Sequence, residues 1–232
     1  MREAARSRFA LEVPSLVVGA KTMKGIQMPI ITRNHVMYLC AVASIALGLK
    51  WHYSVAGADD LLWILRPTTW IVSAITGLSF VYEAGIGFVN SAHQVVIAPG
   101  CSGVNFMILA FIALCVCGAP GKITVPYLIT APALYLVLAC GATLAVNTLR
   151  ITVAVWLYEA EVAWGWFTAE RIHHLEGALV YFPGLCCIAM VGRRLHRNPL
   201  RFSLSGAQIP LVVSVVLYTA MTIVTPVLTG RF

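Results

Sequence analysis

Ala98-Pro-Gly-Cys-Ser-Gly-Val-Asn-Phe-Met-Ile-Leu-Ala-Phe-Ile-Ala-Leu-Cys-Val-Cys-Gly-Ala119 decides how this chain folds. A Pro-Gly turn leads into sixteen mostly apolar residues, Val104 to Ala119, with no charge among them. A membrane span takes about 20 apolar residues, so the stretch reads as a spanning helix from Ser102 to about Gly118 with Cys101 in its first turn. A helix start carries partial positive charge and unpaired N–H groups, which favour a thiolate over a thiol.

The remaining sequence agrees with a membrane setting. Of 232 residues, 59% are hydrophobic and 11% charged, whereas soluble domains carry about a quarter charged. The length allows about five or six spans in one membrane domain. We expect that domain over 35–232, behind a basic cytoplasmic segment, 1–34. The net charge of +7 is gathered in two patches. One is Arg2, Arg6, Arg8, Lys21, Lys24 and Arg33; the other is Arg193 to Arg201. They read as cytoplasmic anchors under the positive-inside rule, not as a nucleic-acid surface. Phe9 to Ala20 is too short to span and is broken by Glu12 and Pro14, so it does not read as a cleavable signal peptide.

The expected fold is an all-α polytopic membrane protein. It has about five transmembrane helices, a re-entrant or interfacial helix, and a small surface β-hairpin before the nucleophile helix. The spans are about His35–Leu49, Ser102–Gly118, Ile123–Val146, His173–Val191 and Ile209–Leu228. Lys50-Trp-His-Tyr53 closes the first as an interfacial cluster. Leu61–Leu78 contains Arg66-Pro67, which argues against a clean crossing. Phe80 to Ile97 alternates like short strands with turns at Glu83–Gly85 and Asn90-Ser91. Asn147 and Arg150 interrupt the apolar run of the third span, which resumes at Ile151–Tyr158.

Topology offers a test of consistency. With Arg193–Arg201 cytoplasmic, His173 faces the other side, and Lys122 in a cytoplasmic turn puts Cys101 and Arg150 on that side too. Asp59, Asp60, Glu83, Glu159, Glu161, Glu170 and Glu176 fall there as well. A thiol, a guanidinium and an imidazole far apart in sequence therefore converge on one face. This requires that neither Leu61–Leu78 nor Ile151–Tyr158 makes a net crossing.

Those three groups suit thiol acyl transfer. Cys101 would attack an amide carbonyl and form a thioester, with nearby N–H groups holding the oxyanion. Ser102 and Gly103 support the thiol, and Gly100 and Gly103 let a substrate backbone approach. Arg150 is costly in hydrocarbon and always charged; it would pair with the thiolate or meet developing negative charge. His173 would act as base and acid, with His174 its immediate neighbour. Glu176 would orient an imidazole or stand as outer-face charge, and Asn147 would hold Arg150 or cap a broken helix. His93 is a weaker candidate. Read singly, each has a plainer role: a packed cysteine, a snorkelling arginine, an interfacial histidine. The other cysteines, Cys40, Cys115, Cys117, Cys140, Cys186 and Cys187, lie in apolar runs and read as small hydrophobes. Cys115 and Cys117 have no neighbouring His or carboxylate, so no metal is expected, and no cofactor motif is present.

On Ala98-Pro-Gly-Cys-Ser-Gly-Val-Asn105, Asn147-Thr-Leu-Arg-Ile151 and His173 with Gly177, the chain resembles the exosortase/archaeosortase family of membrane cysteine transpeptidases. Leu61-Leu-Trp-Ile-Leu-Arg-Pro67 and Glu83-Ala-Gly-Ile-Gly-Phe88 look most like the exosortase K type. The resemblance implies a catalytic Cys101, Arg150 and His173, with the His-x-x-x-Gly spacing selecting His173 over His174. Gly177-Ala178 departs from the family's Gly-Trp. It also implies a protein substrate with a C-terminal sorting signal: a Pro-Glu-Pro-like motif, a hydrophobic helix and a basic tail. Arg150, Arg66 or Arg171 would meet the acidic motif. The implied setting is a bacterial inner membrane, with the active site at the outer face.

A small transporter or channel, using Arg150 and His173 in a polar pathway, is the competing reading; it has no need of Cys101. The topology is open to direct measurement. Alkaline phosphatase fused after Gly121 should stay inactive in a bacterial host, and fused after Glu159 it should be active. Activity in the reverse pattern would invert the orientation.

Overall fold

The computed structural model describes residues 33–160 and 169–195, with side chains from 175 in the second stretch. The order is α1 (Arg33–Val55), α2 (Leu62–Thr76), β1 (Val81–Glu83), β2 (Gly87–Asn90), β3 (Val95–Ile97), a 3₁₀ turn (Pro99–Cys101), α3 (Val104–Cys117), α4 (Val125–Glu159) and α5 (Ala169–Leu195). Four helical segments are long and apolar enough to cross a membrane: 33–55, 99–117, 125–159 and 175–195. The fifth expected span, 209–228, the segment 1–32 and most of the basic loop 193–201 lie outside the described residues.

α3 is the central helix. It is apolar on every side and carries Met107, Ala110, Phe111, Ala113, Leu114 and Cys115 in the core, as expected for a helix buried in protein all round. α1, α4 and α5 surround it and expose apolar side chains outward: Leu39 and Leu47, Ile129 and Val137, Leu179 and Met190. Apolar residues both inside and out are what a lipid environment selects, since exposed apolar faces of this extent are costly in water.

The helices alternate in direction. At one end, Asn34 at the start of α1 donates to Ile123 O ahead of α4 (2.9 Å), and Gly192 late in α5 lies against Leu114 and Cys117 late in α3. At the other end, Tyr53 late in α1 reaches Pro99 O, and Asn147 in α4 reaches Cys101 O. α1 and α4 thus run toward the end where α3 and α5 begin.

Several expectations are corrected. α1 does not stop at Leu49 but continues through Lys50–Tyr53 to Val55, because nothing in that polar-aromatic segment breaks a helix. α3 starts at Val104, not Ser102, because Gly103 adopts a left-handed conformation (φ 73°) ahead of it. Cys101 therefore sits in a separate 3₁₀ turn rather than in the first turn of the helix. α4 is not interrupted at Asn147 and Arg150; it is one helix of 35 residues. Both side chains find partners on neighbouring helices, so the backbone has no cause to open. At 1.5 Å per residue α4 is about 52 Å long, against about 30 Å of hydrocarbon. Ile151–Tyr158 therefore extends the same crossing and adds none.

α2 spans 15 residues, about 22 Å, too short to cross. Pro67 sits inside it without ending it; Gly77, left-handed at φ 75°, closes it. The strands form a three-stranded antiparallel meander, β1-β2-β3, rather than a single hairpin. Its registers, Tyr82 opposite Phe88 and Val89 opposite Val96, deliver the chain to the Cys101 turn.

Close helix contact depends on small residues on α5. A Cβ on Gly184 would lie 3.1 Å from Val146 Cγ1 and 3.4 Å from Phe106 Cζ, whereas Gly141 has open space around it. We expect Gly184→Leu to destabilise the fold by about 1–3 kcal/mol through overpacking, and Gly141→Leu to leave it unchanged or slightly more stable. Thermal unfolding in detergent, followed by tryptophan fluorescence, reads both.

Candidate functional site

Cys101 is reached through backbone geometry. Its own N–H bonds Ala98 O (2.8 Å) and the Ser102 N–H bonds Pro99 O (3.0 Å), which closes the 3₁₀ turn. Gly103 then reverses the chain into α3. A Cβ at Gly103 would lie 2.9 Å from Asn147 Cγ and 3.1 Å from Thr143 Cγ2. Space and the positive φ both require glycine there. The side chain of Ser102 is buried, and that of Cys101 is partly exposed.

α4 supplies the support. Thr143, Asn147 and Arg150 follow the four- and three-residue steps of one helix face and are all buried. The Asn147 amide Nδ2 donates to Cys101 O (2.7 Å), and its Oδ1 accepts from the Tyr181 hydroxyl (2.6 Å). Arg150 Nη1 donates to the same hydroxyl (3.3 Å), and its guanidinium lies 5.3 Å from the centre of the Tyr181 ring. The ring stacks on Phe106 of α3 at 4.8 Å. Arg150 Nε stands 3.9 Å from Glu176 Oε1, and both side chains are largely shielded from solvent. A buried charge is tolerated when it is paired and hydrogen-bonded. The sequence alternatives for Arg150 thus resolve against a snorkelling anchor: the residue is only 8% exposed and its side chain is held from α5. Asn147 caps no broken helix, and it holds Arg150 indirectly, through Tyr181. Glu176 is buried and pairs with Arg150.

Cys101 lies within electrostatic reach of Arg150, Tyr181 and Tyr53. Tyr53 of α1 also meets the Ser102 side chain, and its hydroxyl approaches Pro99 O (3.5 Å). Lys50, one turn earlier, donates to Asn105 Oδ1 of α3 (3.0 Å) and lies 5.6 Å above the Tyr53 ring. Lys50, Tyr53 and Tyr181 were not singled out in the sequence. Tyr181 carries a legible signal, since it follows Gly177 by one helical step. Lys50 and Tyr53 carry none, because an aromatic-basic cluster at a span end looks the same whether it faces lipid headgroups or protein.

His173 and His174 lie in the opening turns of α5, at the same end as Cys101 and Arg150; their side chains, like that of Arg171, lie outside the described residues. The helical period places residue 173 one turn before Gly177 on the same face, and a Cβ on Gly177 would lie 3.4 Å from Arg150 Nε. The other candidates fall elsewhere. Arg66 is exposed on α2 and makes no hydrogen bond or ion pair with a described residue. His93 projects from the β2–β3 turn and pairs with Glu159 at the end of α4 (3.5 Å). Among the described residues no three His, Cys, Asp or Glu side chains gather as metal ligands.

No family model, curated protein or solved structure matches this chain.

Tyr181→Phe keeps the ring on Phe106 and removes the hydroxyl shared by Asn147 and Arg150. We expect it to lower stability by about 1–2 kcal/mol, measured by chemical or thermal unfolding in detergent. A variant as stable as the parent would show that the bridge carries no net energy.

Proposed function

We propose that this chain is a membrane-embedded cysteine peptidase or transpeptidase that cleaves a C-terminal sorting signal of exported proteins. The observation that carries the reading is the junction of a partly exposed Cys101 with a buried Arg150, joined through Asn147 and Tyr181. The resemblance of the Cys101, Arg150 and His173 segments to exosortases supports the same reaction.

In this reading the Cys101 thiolate adds to the scissile carbonyl. The amides of Cys101 and Ser102 are already bonded within the turn, so the developing oxyanion falls to Arg150, whose guanidinium has donors left beyond its bond to Tyr181. Glu176 fixes the guanidinium and balances its charge before substrate arrives. His173 holds the proton taken from the Cys101 thiol; as the tetrahedral intermediate collapses, the C–N bond breaks and His173 passes that proton to the leaving amine. A thioester remains on Cys101, to be released by water or by an acceptor amine. The substrate is a protein with a short Pro-Glu-Pro-like motif, a hydrophobic helix and a basic tail. The helix lies in the same bilayer as the enzyme. The basic tail stays on the cytoplasmic side, as does this chain's N-terminus, and cleavage occurs at the outer face of a bacterial inner membrane. α2, amphipathic and too short to cross, lies at that interface.

The test is co-expression with a tagged protein bearing such a signal. The parent should remove the signal, and Cys101→Ala should not. Arg150→Lys keeps the charge but loses the planar fork, and should lower the rate by about 10²–10³-fold, as loss of an oxyanion donor does. Mass spectrometry of briefly quenched samples should find an acyl adduct on Cys101. Equal processing by the parent and Cys101→Ala would return the chain to the transporter reading.

A further inference from the structure

Charge is unevenly balanced around Cys101. Arg150 has its counter-ion in Glu176. Lys50 has none among the described residues: its ammonium is half-buried, bonds the neutral Asn105 Oδ1 at 3.0 Å and lies over the Tyr53 ring. Asn105 lies in the first turn of α3, just after Gly103, and Tyr53 of α1 reaches the Cys101 turn at Pro99 O. The ammonium can offer three hydrogens, so donors remain for a ligand.

We propose that Lys50, which reaches the surroundings of the Cys101 turn through Asn105 and Tyr53, is an anion-binding residue receiving a carboxylate of the peptide that enters the site. This rests on Cys101 as the acyl-transfer nucleophile, and it names the group that selects an acidic side chain next to the scissile bond. Arg66 stands exposed on α2. Arg150 already has a counter-ion in Glu176, and its remaining donors serve the oxyanion. Lys50 acts on substrate through charge and one or two hydrogen bonds; Asn105 and Tyr53 hold it in place.

The experiment compares alkylation of Cys101 by iodoacetate, an anion, and by iodoacetamide, its neutral analogue, with the modified site identified by mass spectrometry. The probes differ in charge, so their rate ratio reports a cation at the thiol whether or not the chain is an enzyme. We expect Lys50→Gln to lower the iodoacetate-to-iodoacetamide ratio by about tenfold, in line with loss of one nearby charge at intermediate dielectric. Lys50→Arg should retain the ratio. Lys122→Gln, at the far end of the bundle, should not change it. A ratio in Lys50→Gln equal to that of the parent would overturn the proposal. In the co-expression assay, Lys50→Glu should lose activity on a signal with an acidic motif and regain it when that acid is replaced by Lys. Cleavage of both signals at parental rates by Lys50→Glu would overturn the role in selection. A lowered ratio together with no cleavage by the parent would keep the anion site and reject the peptidase reading.

Discussion

The arrangement depends on one fully buried amide. Asn147 holds the carbonyl of Cys101 with its nitrogen and the hydroxyl of Tyr181 with its oxygen, so three separate elements (the 3₁₀ turn, α4 and α5) meet at a single side chain. Hydrogen bonds made away from water are costly to leave unmade; each partner therefore fixes the others. Gly103 makes the contact possible, because any side chain there would occupy the space of Asn147. Arg150 is positioned second-hand, through the same tyrosine.

The alternation of helix directions turns this local network into a site. α1 and α4 bring late residues to the end where α3 and α5 begin, and the β meander delivers the chain there directly. His93 and Glu159 tie the meander to the tip of α4. The Cys101 turn is therefore framed by four helices but belongs to none, which leaves Cys101 partly exposed while its backbone is held.

Much of this was legible in the sequence, for physical reasons. Apolar runs of span length were enough for the four long apolar helices of the described residues, and the order of the charges along them for the gathering of Cys101 and Arg150 at one end, together with the helix start that carries His173. The strand alternation before Cys101 was readable too, though the pairing of a third strand was not, since pairing is a tertiary event. Asn147 and Arg150 misled because polar residues in an apolar run resemble a helix break until their partners are known; Tyr181, Phe106 and Glu176 lie on other helices. Lys50 and Tyr53 were hidden for a related reason. Composition can mark a membrane interface, but it does not tell which side of a helix meets protein.

The unequal helix lengths carry one more consequence. α3, with 14 residues, rises about 21 Å, while its neighbour α4 rises about 52 Å. Arg150 lies nine residues before Glu159, about 14 Å below the tip of α4. Hydrocarbon about 30 Å thick covers only part of α4, so helices of such different length meet one bilayer only through tilt or local thinning around the short one. Acyl-chain length and sterol-like stiffening of the surrounding lipid thereby become determinants of how the short helix, and the Cys101 turn ahead of it, sit in the bilayer.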